Sequence, residues 1–402
     1  MDYPKLRNID IIPVHFNNKD IICLKDPLKI APKMLFISPD TLSILRFMDG
    51  KHSLRDLQVE YMRNFGNLLF MEDIEKVVSQ LDENYLLDND NFNHYYKKIK
   101  EDFLKSDIRK AVFSGESYPE DPFELSFKIE EFFKGELPQS KEGQYVKGII
   151  APHIDFARGG NCYASAYKEV VKTKPAETFI ILGTSHHPSN NLFILTKKDF
   201  STPFGIVKNE RGLTDPLIDK IGKELLEDEF IHRFEHTIEF QLIFLQYIMK
   251  DIPFTIIPIL CGGFEEFIQS GKNVLEDEKF NRFIDVLKEL IMKSKKKITI
   301  IASADLSHRG MQFGDNFYIS PMILEETKFL DLKMLEFVKS GDAFGFYKAI
   351  TEDKNSRNVC GVPPITTMLA LLSGQKGELL DYKQWYDPNG IAMVSFASMI
   401  FY

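Results

Sequence analysis

The chain has 402 residues, 44% of them hydrophobic and 27% charged, with a net charge of −9. That balance fits an ordinary soluble globular protein of two or three domains. The acidic excess, with no long basic run, argues against a nucleic-acid partner, because non-specific binding needs a basic patch to displace counterions.

No apolar stretch reaches the ~18 residues that a membrane-spanning helix needs, so no membrane association is expected. The start, Met1-Asp2-Tyr3-Pro4-Lys5, lacks the charged and apolar regions of a signal peptide, and the expected location is cytoplasmic. Four cysteines, Cys23, Cys162, Cys261 and Cys360, make no disulfide framework and no CxxC pair. Each is first read as a small buried hydrophobe.

In chain order, Ser38-Pro39 predicts a helix start, with Ser as cap and Pro in the first turn, and Asp49-Gly50 predicts its stop. Ser53 begins a second helix to about Asn64. A third runs from about Glu72 to Glu83, with Ile74, Val77, Val78 and Leu81 on one stripe. Tyr85-Leu86-Leu87 reads as a short strand before a polar stretch at 88–93. Three short helices with a strand hairpin make a winged-helix-like pattern, and Ile37–Leu87 resembles the PqqD-like family of small peptide-binding domains. The plainer reading is a helical cap on the main domain. A small domain is therefore expected over residues 1–95. Lys97–Leu104 and Phe123–Phe133 are further helix candidates.

From Val146 the pattern alternates strand and helix. Strands are predicted at Val146–Ala151, Thr178–Leu182, Phe254–Leu260 and Ile298–Ala302, with helices at Asp215–Glu227, Ile238–Met249 and Phe280–Lys293. Continuous apolar strands alternating with helices predict an α/β domain with a central, largely parallel sheet covered on both faces.

Three of the four strands run into histidine-bearing loops: Pro152-His153, Gly183-Thr184-Ser185-His186-His187 and Ser303-Ala304-Asp305-Leu306-Ser307-His308. Ligands of open α/β sheets bind beyond the carboxyl ends of the strands, which predicts that these histidines are neighbours in space. His236 opens a helix in Glu235-His236-Thr237-Ile238-Glu239, and Cys360 lies in Asn358-Val359-Cys360-Gly361-Val362-Pro363-Pro364. Imidazole and thiolate suit zinc, iron and copper. For each histidine taken alone, a hydrogen-bonded pocket residue is the ordinary alternative.

These five segments, Ala151-Pro152-His153, Leu182–His187, Glu235–Glu239, Ser303–His308 and Cys360-Gly361-x-x-Pro364-Ile365, resemble in content and order the Memo family, whose prokaryotic members are called AmmeMemoRadiSam system protein B. The resemblance spans about residues 106–402 and implies a fold similar to the class III extradiol dioxygenases (LigB-like). It implies a single metal ion, iron or copper with zinc as a further option, held by His153, His186 and Cys360. It makes His236 the counterpart of the dioxygenases' acid/base residue, puts Asp305 and His308 at the pocket rim or just behind the ligands, with Asp305 the second catalytic candidate, and leaves His187 to orient its loop or its neighbour. Family members carry Pro-His-Ala-Gly-aromatic where this chain has Pro152-His153-Ile154-Asp155-Phe156. Asp155 thus adds a carboxylate, and Arg158-Gly159-Gly160 is read either as an anion-binding turn or as a solvated surface turn.

Three functions follow as expectations. The first is a metal-dependent redox enzyme or component of a modifying system, without ring cleavage, because Cys360 stands where those dioxygenases carry a carboxylate. The second is a non-enzymatic metal- or peptide-binding protein. The third is a metal-dependent or serine hydrolase: the serine form is weakened by the lack of a Gly-x-Ser-x-Gly elbow, and zinc at the same ligands could activate water. The expected partners are a small-molecule or peptide substrate and, through the resemblance, separate radical S-adenosylmethionine and AMMECR1-like proteins. Cys23, Cys162 and Cys261 are expected to be structural.

Overall fold

The computed structural model describes residues 2–16, 19–134, 145–171 and 175–402. The chain divides into two units, Met1–Lys105 and Ser106–Tyr402.

The first unit opens with three antiparallel strands, Asp10–Phe16, Lys19–Lys25 and Leu35–Ile37, paired in that order. Helices Pro39–Leu45, Leu54–Phe65, Met71–Glu83 and Asp90–Lys105 follow. The predicted caps form: the Ser38 hydroxyl accepts from Thr41 N, and Ser53 makes a reciprocal capping box with Asp56. The first helix ends at Leu45, before the predicted Asp49-Gly50 stop. Tyr85–Leu87 is no strand, but Leu87 forms one isolated bridge to Leu6. The polar stretch after it leads into the helix at Asp90, whose Asn89 side chain accepts from Phe92 N. The strands lie ahead of the helices, so the hairpin comes first in the chain. Ile22, Leu24, Ile44, Leu57, Ile74 and Leu81 fill the core between sheet and helices.

The second unit is built on an 11-stranded mixed sheet. Its centre is parallel, in the order Gly148–Ala151, Ile298–Ser303, Thr178–Thr184 and Thr255–Cys261. Antiparallel strands extend it: Met393–Phe401 lies beside Gly148–Ala151 and pairs in turn with Gly377–Tyr386 and Asp305–Arg309. Alternate residues of Thr178–Thr184 serve opposite faces. Ile180 and Leu182 join a core with Leu287 and Ile365 from helices Glu278–Lys293 and Val362–Leu372. Phe179 and Ile181 join another with Tyr163 and Phe244 from helices Phe156–Val171 and Thr237–Met249. Burial on both faces is why these strands are continuous apolar runs. The helix predicted at Asp215–Glu227 starts earlier, at Arg211, and ends at Ile221, followed by a 3₁₀ turn Lys223–Leu226.

Arg158-Gly159-Gly160 is not a turn. It lies inside the helix Phe156–Val171, where a Cβ on Gly159 would stand 2.5 Å from Ile154 and one on Gly160 2.5 Å from Phe132. These glycines permit close packing, and the Arg158 guanidinium lies 3.7 Å over the Trp385 ring and pairs with Asp155 at 3.0 Å.

Candidate metal centre

The parallel strands deliver their loops to one edge of the sheet. Ser303 pairs with Ala151 on one side and Gly183 on the other, so the three loop starts are held together by the ladder. His153 follows two residues after its strand and is buried. Its backbone N–H donates to Asp305 Oδ1 at 2.9 Å, and its ring Nδ1 faces the Ser303 carbonyl at 3.1 Å. A carbonyl can only accept, so Nδ1 carries the proton and Nε2 keeps its lone pair. Burial, reinforced by the nearby His186 and His236, pulls the His153 pKa well below the ordinary imidazole value. The neutral ring is the ligating form.

His186 lies in the next loop with about a third of its side chain exposed (36%). Its backbone N–H donates to Glu235 Oε2 at 2.8 Å, and its Nδ1 meets both carboxylate oxygens at 3.1 and 3.2 Å. Again Nδ1 is a donor, and the ring also hydrogen-bonds to Cys360. Burial would lower the His186 pKa, but the Glu235 carboxylate overrides it and holds the value well above ordinary.

Cys360 comes from a distant turn just ahead of the helix Val362–Leu372. Asn355 ties this turn down by accepting from Val359 N at 2.8 Å, and Gly361 N donates to the Asp305 carbonyl at 3.0 Å. A Cβ on Gly361 would come within 2.5 Å of that carbonyl oxygen, so only glycine allows this approach. The Cys360 Sγ lies 3.2 Å from His153 Nε2. Ligand atoms of His153, His186 and Cys360 all lie within 4.8 Å of one another. Burial pushes the Cys360 thiol pKa up, the cost of an unpaired thiolate away from water. Two imidazoles and a thiol this close together are, once His186 and Cys360 have lost their protons, a donor set that fits a transition-metal cation.

The His236 ring stacks on His186 with centroids 5.1 Å apart and stands edge-on to His153 at 5.5 Å. Asp305 is buried, with Oδ2 3.6 Å from His153 Nε2. Burial lifts its pKa to about 7 despite the N–H donated by His153. His308 turns its Nδ1 to the carbonyls of Leu306 and Asn358, at 3.0 and 3.1 Å, and packs edge-on against Phe313. His187 packs against Phe234. Cys261, at the end of its strand, is fully buried in the apolar core, and burial pushes its thiol pKa far up.

Several buried groups that carry the site had no role in the sequence reading. Glu235 and Glu239 stand in the quoted Glu-His-x-Ile-Glu segment, and that motif was the available signal. Glu239 is fully buried and takes hydrogen bonds from Arg109, Tyr118 and the N–H groups of Val112 and Phe113. Arg109, also fully buried, donates to the carbonyls of His232 and Glu235 at 2.9 and 2.8 Å, fixing the backbone that leads to His236. Asp331 binds Arg357, three residues before Cys360, at 2.6 Å, together with the hydroxyls of Ser307, Ser395 and Tyr382. Neither Arg109 nor Asp331 had a local signal, since each acts across more than twenty positions of sequence.

Comparison with known proteins agrees with this architecture. The family model described as Memo-like protein matches residues 109–400. A MEMO1 family protein of Aquifex aeolicus is 30% identical over 99% of this chain and 100% of its own length. One of Methanosarcina barkeri is 28% identical over 73% of this chain and 99% of its own. One of Thermus thermophilus is 27% identical over 88% of this chain and 100% of its own. With the family model spanning nearly the whole second unit, and a full-length relative at this identity, the chain belongs to the Memo family.

Proposed function

We propose that this protein binds one redox-capable transition-metal ion, iron or copper with zinc as a further option, through His153, His186 and Cys360. On this reading it serves as a metal-dependent redox enzyme or a component of a modifying system. The observation that carries the proposal is the placement of the two imidazoles: each Nδ1 is engaged by an acceptor, and one ligand atom from each ring lies with the Cys360 sulfur within 4.8 Å. Three protein ligands leave a coordination position for an exogenous molecule, which is the pattern of reactive rather than purely structural sites. When bound, such an ion supplies Lewis acidity and, for iron or copper, one-electron chemistry.

The chain's own residues then have distinct tasks. His236, partly exposed and stacked on His186, is placed to move a proton to or from a molecule in the open mouth of the site. Asp305, with a pKa near neutrality, holds the His153 backbone through one oxygen and keeps the other close to the His153 ring. Phe113 and Phe240 pack against the His236 ring, and Phe156 packs against Phe240 in turn. Substrate, whether a small molecule or a peptide, would enter where His186 and His236 are exposed. Radical S-adenosylmethionine and AMMECR1-like proteins are the proposed partners.

A serine hydrolase is disfavoured by geometry, because the Ser185 hydroxyl donates to the His187 carbonyl at 3.1 Å rather than to an imidazole. The test is metal analysis of protein purified without added metal, with Cys360→Ser as control, followed by oxygen uptake of the loaded protein. Near-stoichiometric metal that is lost in the variant supports the reading. Metal held without oxygen or reductant turnover would favour a non-enzymatic metal- or peptide-binding role.

A further inference from the structure

Beside the three candidate ligands lies a second group of potential donors, His186, Glu235 and His236. The hydrogen bonds of Glu235 decide what this group is. Glu235 is 2% exposed, and its carboxylate accepts the backbone N–H groups of His186 at 2.8 Å, His236 at 2.9 Å and Thr237 at 3.3 Å. It also faces two ring nitrogens, the Nδ1 of His186 at 3.1 Å and the Nδ1 of His236 at 3.2 Å. A carboxylate offers about four lone-pair sites. Five donors already saturate Glu235, so it has no free pair for a second cation.

The same bonds give it another role. A carboxylate acceptor demands a proton on Nδ1 of each ring, which leaves both Nε2 atoms facing away from Glu235. Sharing one acceptor also explains why the rings lie nearly parallel, 10° apart with centroids 5.1 Å apart. The backbone of Glu235 is itself immobilised by Arg109, which holds its carbonyl at 2.8 Å and is anchored in turn by the buried Glu239.

We infer that Glu235 is a positioning residue shared by His186 and His236, orienting a metal ligand and the neighbouring proton-transfer group through a single buried carboxylate. The two imidazoles are thereby coupled: whatever strengthens the bond of one ring to Glu235 weakens that of the other. Only the ligand role of His186 rests on the metal reading proposed above; the sharing of the carboxylate does not.

The experiment compares the full chain with its Glu235→Gln and His236→Ala variants. Zinc affinity is measured by competition with a chromophoric chelator. The imidazole N–H resonances of the metal-free protein are recorded by ¹H–¹⁵N NMR, and thermal unfolding reports on folding. Glu235→Gln should weaken zinc roughly 10–100-fold, the usual cost of losing a carboxylate behind a histidine ligand. It should also move the Nδ1–H signals of both His186 and His236. His236→Ala leaves Glu235 and all three ligands in place, yet should shift the His186 Nδ1–H signal downfield, since the carboxylate then serves one ring. The inference is overturned if Glu235→Gln moves only one ring, or if His236→Ala leaves the His186 signal where it was. Absence of zinc binding by the unmodified protein would refute the metal reading, while the two resonances would still decide whether the carboxylate is shared. If Glu235→Gln does not fold, the His236→Ala spectrum decides alone.

Discussion

Cys360 Sγ and His153 Nε2 lie 3.2 Å apart across 207 positions of sequence. The contact exists because His153 leaves the end of a central strand while the Cys360 turn is drawn onto the neighbouring loop by the bond from Gly361 N to the Asp305 carbonyl. It gives the candidate centre a sulfur donor beside its imidazoles.

Removing a ligand should remove the metal. His153→Ala and Cys360→Ser are expected to lower metal content by tenfold or more, an order-of-magnitude figure for loss of one of three ligands. Cys261→Ser and His187→Ala should leave it unchanged, since Cys261 is sealed in the apolar core. Elemental analysis of all four variants checks this, and loss of metal from Cys261→Ser would move the sulfur ligand.

Acid should weaken binding. The Cys360 thiol is raised by burial and the His186 imidazole by Glu235, so both carry protons near neutral pH in the metal-free protein. His153 is already neutral there. Loading a cation must expel the protons of the first two, so affinity rises with pH, by up to about tenfold per unit for each proton released. Chelator competition across pH 6–8 measures the slope, and a flat profile would contradict this ligand set.

Gly361→Ala leaves every ligand in place but puts a methyl 2.5 Å from the Asp305 carbonyl oxygen and 2.7 Å from Ala304 Cβ. The turn must retreat, taking Cys360 with it. The expected results are a loss of about 1–3 kcal/mol in stability, typical of overpacking, and a clear drop in metal affinity. Urea unfolding and metal titration together check it.

The buried pair Arg357–Asp331 should behave as an anchor for the same turn. Asp331→Ala strands a buried guanidinium and three hydroxyl partners. A destabilisation of about 3–5 kcal/mol is expected from breaking one side of a buried ion pair. Denaturant unfolding measures it; a change below about 1 kcal/mol would mean that water replaces the pair without cost.

A chain of residues 106–402 should bind metal with the same stoichiometry as the full chain. The candidate ligands all lie in the second unit, and the Methanosarcina barkeri relative matches only 73% of this chain while being covered almost completely itself. Metal analysis of the shortened protein tests this directly.

Local chemistry alone determined much of this protein. The serine caps at Ser38 and Ser53, the apolar runs of the four central strands, and the histidines at their ends are each specified by neighbours in sequence, through capping and doubly buried burial patterns. The strands Asp10–Phe16 and Lys19–Lys25 escaped because they form a partly exposed antiparallel hairpin, with Pro13 in the outer strand and a buried run of only Ile22, Cys23 and Leu24. Cys261 and Cys360 looked similar as cysteines beside glycines. The family resemblance singled out Cys360, and the tertiary structure supplies the physical difference, packing one sulfur into the sheet's apolar core and bringing the other to an imidazole. Strand order, the five bonds to Glu235 and the Asp331 anchor were likewise settled by long-range contacts. A buried carboxylate or guanidinium must find its partners wherever the fold supplies them, and that pairing leaves no periodic trace along the chain.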